Sequence, residues 1–84
     1  MKSSPFEPEL IEVTVVDGLP SRVKFRRKMQ KVREILNLWR IDDGWWQKPV
    51  SRFYYFLELE GGSRVTVFRD LIGDAWYRQN WSAP

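Results

Sequence analysis

The runs Phe53 to Leu59 and Arg64 to Arg69 are rich in aromatic and β-branched residues and are separated by Gly61-Gly62-Ser63. Such side chains suit a pleated, half-buried surface, and a glycine-rich break between two of these runs signals a β-hairpin. Its register follows from asking which pairing keeps apolar faces together, because a one-residue slip sends side chains to opposite faces. A two-residue Gly61-Gly62 loop sets Leu59 against Arg64 and Leu57 against Thr66. A three-residue loop that includes Ser63 sets Leu59 against Val65, Leu57 against Val67 and Phe56 against Phe68. The second register is expected, and it suits a type I turn closed by a glycine bulge. One face then carries Tyr55, Leu57, Leu59, Val65 and Val67 as core, and the other carries Tyr54, Phe56, Glu58, Thr66 and Phe68.

The rest of the chain extends this β pattern. Leu10 to Val16 is β-branched and stops at the turn pair Asp17-Gly18, which makes it a strand. Arg22 to Met29 alternates, with Val23, Phe25 and Met29 against Arg22, Lys24, Arg26 and Lys28, and only Arg27 breaks the period. Lys31 to Ile41 is ambiguous. Val32, Ile35, Leu36 and Trp39 fit helical spacing, whereas Val32, Leu36 and Leu38 fit alternation, and periodicity alone slightly favours helix. Asp42-Asp43-Gly44 is a turn signal, Pro49 marks a second irregular stretch, and a turn at Gly73-Asp74 leads to a last strand beginning at Trp76.

With 84 residues the chain supports one core, and its five Trp, five Phe and three Tyr predict that this core is aromatic. The fold class expected is mainly β: a small single-domain antiparallel sheet or meander, with a partly open barrel as one form it takes. Residues 1–9, with Pro5 and Pro8, read as a flexible N-terminal arm, and residues 10–84 as the β-rich domain.

The sequence contains no cysteine and no histidine. This removes thiolate nucleophiles and metal sites, disulfides, and the usual proton shuttle at neutral pH. Asp42-Asp43 lacks the spaced oxygen ligands of a calcium loop, and Glu58 and Glu60 lack a partner acid, so neither pair predicts chemistry. The expectation is a non-enzymatic protein without a cofactor. No apolar stretch approaches a membrane span, and the location expected is cytoplasmic, with no membrane partner.

Charge is unevenly distributed. Residues 1–20 sum to −3, residues 21–33 to +7 and residues 34–84 to −1. The positive block contains Arg22, Lys24, Arg26, Lys28, Lys31 and Arg33, a spacing that presents cations in register with a nucleic-acid backbone. A solvated outer face that protects a sheet edge is the plainer alternative.

The ordered pattern Trp39-Arg40, Gly44-Trp45-Trp46, Arg52-x-x-Tyr55, a turn, Phe68-Arg69-Asp70 and Trp76-Tyr77 resembles a bacterial family of small domains of unassigned function. It is also similar to the C-terminal segment of ImuB-type proteins, the inactive relatives of Y-family polymerases in a translesion-synthesis complex. The similarity spans roughly residues 20–81. It implies a compact β domain in which Lys31 to Ile41 is a strand, paired with Arg22 to Met29 through a turn near Lys28 to Gln30. It also implies a link to DNA repair.

Two readings of function follow. The first is a nucleic-acid-binding module, for DNA or RNA, that uses the basic block, with Tyr54, Phe56 and Phe68 as a platform for stacking bases. Because large exposed apolar patches are rare on monomers, burial of those three rings in a core, under an N-terminal strand or the Trp45-Trp46 loop, is the preferred reading of them. The second is a protein-interaction module that docks on a translesion-synthesis or other repair protein through a sheet edge or through exposed aromatic residues, Trp45 and Trp46 among them. Arg52, Arg69 and Asp70 are expected to brace the hairpin as an Arg–Asp pair.

Overall fold

The computed structural model describes residues 8–43 and 49–79, so most of the expected arm and the Trp45-Trp46 segment lie outside the described residues. Seven strands form one antiparallel sheet: β1 (Glu9–Leu10), β2 (Val13–Val16), β3 (Leu19–Phe25), β4 (Lys28–Asp43), β5 (Val50–Leu59), β6 (Arg64–Asp70) and β7 (Ala75–Arg78). Their order across the sheet is β1-β7-β6-β5-β4-β3-β2. The outermost strands, β1 and β2, are consecutive in the chain. Only Ile11 and Glu12 separate them, so the sheet must curl until its edges meet. The Ile11 N–H donates to the Trp76 carbonyl on one edge, and the Lys24 N–H donates to the Glu12 carbonyl on the other. The result is a half-barrel, and the run expected as one strand over Leu10 to Val16 is divided between its two edges. Glu9, the last residue of the expected arm, is part of β1 and lies opposite Arg78.

The inner face is the apolar face expected of the β5–β6 hairpin. Tyr55, Leu57, Leu59, Val65 and Val67 are buried together with Val23 and Phe25, and Ile11, Val13, Val32, Ile35, Phe53 and Trp76 pack around them. Leu57, Leu59, Val23 and Val67 are fully enclosed. Burying one such side chain is worth about 1.5–3 kcal/mol, so these residues fix the curvature.

The hairpin's register differs from the expectation. Leu57 lies opposite Val65, Tyr55 opposite Val67, Phe56 opposite Thr66 and Tyr54 opposite Phe68. The loop does have three residues, but they are Glu60-Gly61-Gly62. Leu59 N–H donates to the Ser63 carbonyl across its base, and Gly62 takes φ of +92°. That left-handed residue closes the glycine bulge, and only Gly62 in that place leaves it unstrained. Moving the loop by one residue changes the partner by two, and an even shift preserves the faces. The inner and outer sets therefore survive while every pair changes.

β4 is a strand throughout, including Lys31 to Ile41 and continuing through Asp42 and Asp43, where a turn signal stood. Its register against β5 slips between Val32 and Glu34 and again between Ile35 and Asn37. Arg33 and Leu36 are thus inserted residues. Each bulge lengthens the repeat from two residues to three, so Val32 and Ile35 both reach the core. This is why a strand carries spacing that imitates a helix.

Candidate nucleic-acid interface

β3 and β4 form the hairpin that carries the basic block. Its turn is Arg26-Arg27, flanked by Phe25 and Lys28 as the last opposed pair, and not the segment near Lys28 to Gln30. Val23 and Phe25 point into the barrel and Arg22 and Lys24 point out. The basic residues therefore do not form a stripe along one strand. Arg22 and Lys24 stand on β3, Arg26 and Arg27 on the turn, and Lys28, Lys31 and Arg33 on β4. All seven are exposed.

The pairing places Arg22 directly opposite Lys31. Like charges so placed are destabilising, by something of the order of 0.2–1 kcal/mol. Lys24 is relieved by Glu12 at 3.4 Å, and Arg33 by Glu58 at 3.8 Å, an acid it shares with Arg64. Among the described residues, the side-chain charges of Arg22, Arg26, Arg27, Lys28 and Lys31 have no carboxylate within ion-pair distance, although the Glu60 carboxylate accepts from the Lys31 backbone N–H at 2.9 Å. The guanidinium of Arg26 lies over the Phe25 ring, 5.2 Å from its centroid, and Arg78 approaches the same ring at 5.4 Å. Both turn residues have left-handed backbones, with φ of 56° and 65°.

No protein-family model, curated protein or solved structure matches this chain. What the hairpin does must therefore be argued from its own chemistry.

The outer-face aromatics form a cross-strand ladder. Trp39, Tyr54, Phe68 and Tyr77 are successive partners across β4, β5, β6 and β7. Their centroids are 5.2, 4.9 and 5.2 Å apart in that order. Phe68 is only 1% exposed and Tyr54 6%, so neither offers a free ring face to a base. Phe56 is half-buried. Arg52 lies 4.5 Å from the Phe68 centroid and donates to the Tyr54 hydroxyl at 3.2 Å. Its role is to cover the ladder. Tyr54 and Phe68 are thus buried in a second packing layer, as the preferred reading of these rings expects, and do not form a stacking platform.

The expected Arg–Asp brace involves a different acid. Arg69 donates to Asp74 at 2.6 Å, while the Asp70 carboxylate accepts from the backbone N–H groups of Ile72 and Gly73. Asp70 thus shapes the β6–β7 turn and Asp74 pairs the arginine. At the far end of β4, Asp42 accepts from the Ser51 hydroxyl at 2.7 Å and from Arg40 at 2.7 Å. These hydrogen bonds, Ser51 first, hold its carboxyl below the ordinary carboxylate value. No group of three or more His, Cys, Asp or Glu side chains among the described residues is arranged to hold a metal ion. The described residues contain no helix long and apolar enough to cross a membrane.

Sequence reasoning missed Arg27. The signal was present: the one residue that broke the alternation of Arg22 to Met29 is half of the turn.

Proposed function

We propose that this domain is a non-enzymatic module that binds the phosphate backbone of DNA or RNA through the β3–β4 hairpin. The observation that carries this reading is the Arg22–Lys31 pair, two cations opposed on one face whose side-chain charges form no ion pair among the described residues, the nearby Glu60 carboxylate being taken up by the Lys31 backbone N–H. A surface selected only for solubility intersperses its signs. One that concentrates unpaired cations across two strands is suited to an external polyanion, whose contacts release condensed counterions. A place in DNA repair is part of the same proposal and rests only on the resemblance of the Trp39-Arg40 to Trp76-Tyr77 pattern to ImuB-type proteins.

The test is titration of labelled single-stranded and duplex DNA and RNA at two salt concentrations. Log affinity is expected to fall linearly with log salt, with a slope of about −0.7 per phosphate contact on single strands and about −0.9 on duplex DNA. No binding at low salt with about 100 μM protein rejects the reading, since non-specific affinities lie at or below that concentration.

A second reading, docking on a repair protein, is favoured by the edge of β4. Residues 32–43 pair with β5 on one side and with no other strand among the described residues. Leu38 and Ile41, in that stretch, are 47% and 42% exposed. An extended segment of a partner can add to such an edge.

A further inference from the structure

The chain contains two hairpins of the same design with opposite choices of turn residue. Val16 and Leu19 close on Asp17-Gly18, with φ of 53° and 79°, and Phe25 and Lys28 close on Arg26-Arg27, with φ of 56° and 65°. Both are two-residue turns that need left-handed backbone at each central position. Asp-Gly is among the pairs that take up this conformation most readily, because glycine has no Cβ and Asp tolerates it. Arginine has neither advantage. The first turn shows what an unconstrained solution looks like in this protein, and the second departs from it at both positions.

The departure also concentrates charge. Arg26 and Arg27 lie between Phe25 and Lys28, and neither arginine has a carboxylate within ion-pair distance among the described residues, although Glu9, Glu12 and Asp74 line the same cavity. Strain retained at a specific place points to use of the side chains that cause it. The use matches their chemistry: each guanidinium offers a planar fork of donors that fits two phosphate oxygens. Arg26 is oriented by its contact with Phe25, itself buried at the end of the core, so its fork is held on a rigid base.

We infer that Arg26 and Arg27 form a two-guanidinium clamp on a phosphodiester backbone, kept at the tip of the β3–β4 hairpin at the expense of the fold's stability. This rests on the proposed function and deepens it, by assigning the anchoring contact to the strained turn and adding Arg27 to the site.

Two variants separate the possibilities. Arg26→Asn with Arg27→Gly installs the relaxed turn. The melting temperature is expected to rise by roughly 4–8 °C, the range that relief of modest strain gives in a domain of this size. Its binding to duplex DNA is expected to weaken, with the salt slope reduced by about 1.8 for two lost phosphate contacts. Arg26→Lys with Arg27→Lys keeps the charge and the strain but loses both forks; its melting temperature should stay near that of the parent and its affinity should fall at least fivefold at every salt concentration. A relaxed variant that is no more stable, or that binds like the parent, overturns the clamp, and so does a dilysine variant of undiminished affinity. Binding by the parent together with any of these results leaves the broader reading standing. A parent protein that binds neither DNA nor RNA removes both.

Discussion

The indole of Trp39 lies on the ring of Tyr54 with centroids 5.2 Å apart and planes only 5° from parallel. The two residues are direct partners across β4 and β5, two residues past the second bulge of β4. Without the extra residue at Leu36, alternation would carry Trp39 to the other face. The bulge therefore places the first rung of the aromatic ladder, which then runs through Phe68 to Tyr77. A curled sheet has a crowded inner face and a splayed outer one, and the ladder fills the outer one.

If the ladder is a packing layer, Trp39 and Tyr54 should be energetically coupled. Truncating a buried aromatic to Ala costs about 3–5 kcal/mol, a large share of the roughly 5–15 kcal/mol that holds a domain together. A milder double-mutant cycle with Tyr54→Leu and Trp39→Leu is therefore preferable. Urea denaturation should give a coupling of about 0.5–1.5 kcal/mol, the usual value for such ring pairs. Additive losses would show that the rings are neighbours without interacting.

The hairpin register is open to a direct chemical test because the chain has no cysteine of its own. Leu59 and Ser63 share a hydrogen bond at the base of the loop, so the next pair, Glu58 and Arg64, is non-hydrogen-bonded and its Cβ atoms are close. Glu58→Cys with Arg64→Cys should oxidise to an intramolecular disulfide, detected by mass and by a mobility shift. Glu58→Cys with Thr66→Cys, the pair a two-residue slip would oppose, should stay reduced under the same conditions. The reverse result would restore the register expected from sequence.

The particular failures show what was legible and what was not. The inner set of Tyr55, Leu57, Leu59, Val65 and Val67 could be read because alternation depends only on parity. The opposed pairs could not, since Glu60-Gly61-Gly62 and Gly61-Gly62-Ser63 both make three-residue glycine loops and only the position of the left-handed residue distinguishes them. Lys31 to Ile41 looked helical because two bulges stretch the repeat to three, and no propensity scale registers an inserted residue. Arg26-Arg27 was hidden for a physical reason as well: a turn that needs left-handed backbone is normally announced by Asn, Asp or Gly, and here it is made by arginines. Burial of Tyr54 and Phe68 is the preferred reading from sequence, but what covers them was not legible, because β7 and Arg52 reach the rings through long-range pairing.

Stability at alkaline pH should depend on Tyr55. Burial among the core residues raises its hydroxyl above the ordinary value of 10.0, and the nearby charge of Arg69 opposes this in part. A group whose pKa is raised by folding contributes stability that is fully present below the unfolded value and is lost as pH rises through the folded one. The melting temperature is thus expected to hold steady up to about pH 10 and to fall above it. Tyr55→Phe, which cannot ionise, should lower the slope of that fall. An unchanged slope would mean that the Tyr55 hydroxyl ionises in the folded protein as it does in the unfolded one.

Arg22 offers the sharpest separation between a site and a solvated surface. It stands opposite Lys31 on one neighbouring strand and opposite Thr14 on the other, with Lys24 next along its own outer face. Arg22→Glu converts a repulsive cross-strand pair into an attractive one, and stability should rise by about 0.2–1 kcal/mol, measured as a higher denaturation midpoint with an unchanged m value. The same substitution removes one cation from the proposed interface and puts an anion in its place. Affinity for single-stranded and duplex nucleic acid should fall, and the salt slope should become shallower by about the value of one phosphate contact, 0.7 to 0.9. Arg64→Ala is the control: Arg64 is exposed and basic but lies on β6 and pairs with Glu58 at 3.7 Å, so its loss should leave the slope unchanged. A variant that is more stable and binds less well identifies repulsion maintained for a ligand. One that is more stable and binds as before identifies Arg22 as part of a solvated face, and the exposed edge of β4 then becomes the surface to test with protein partners.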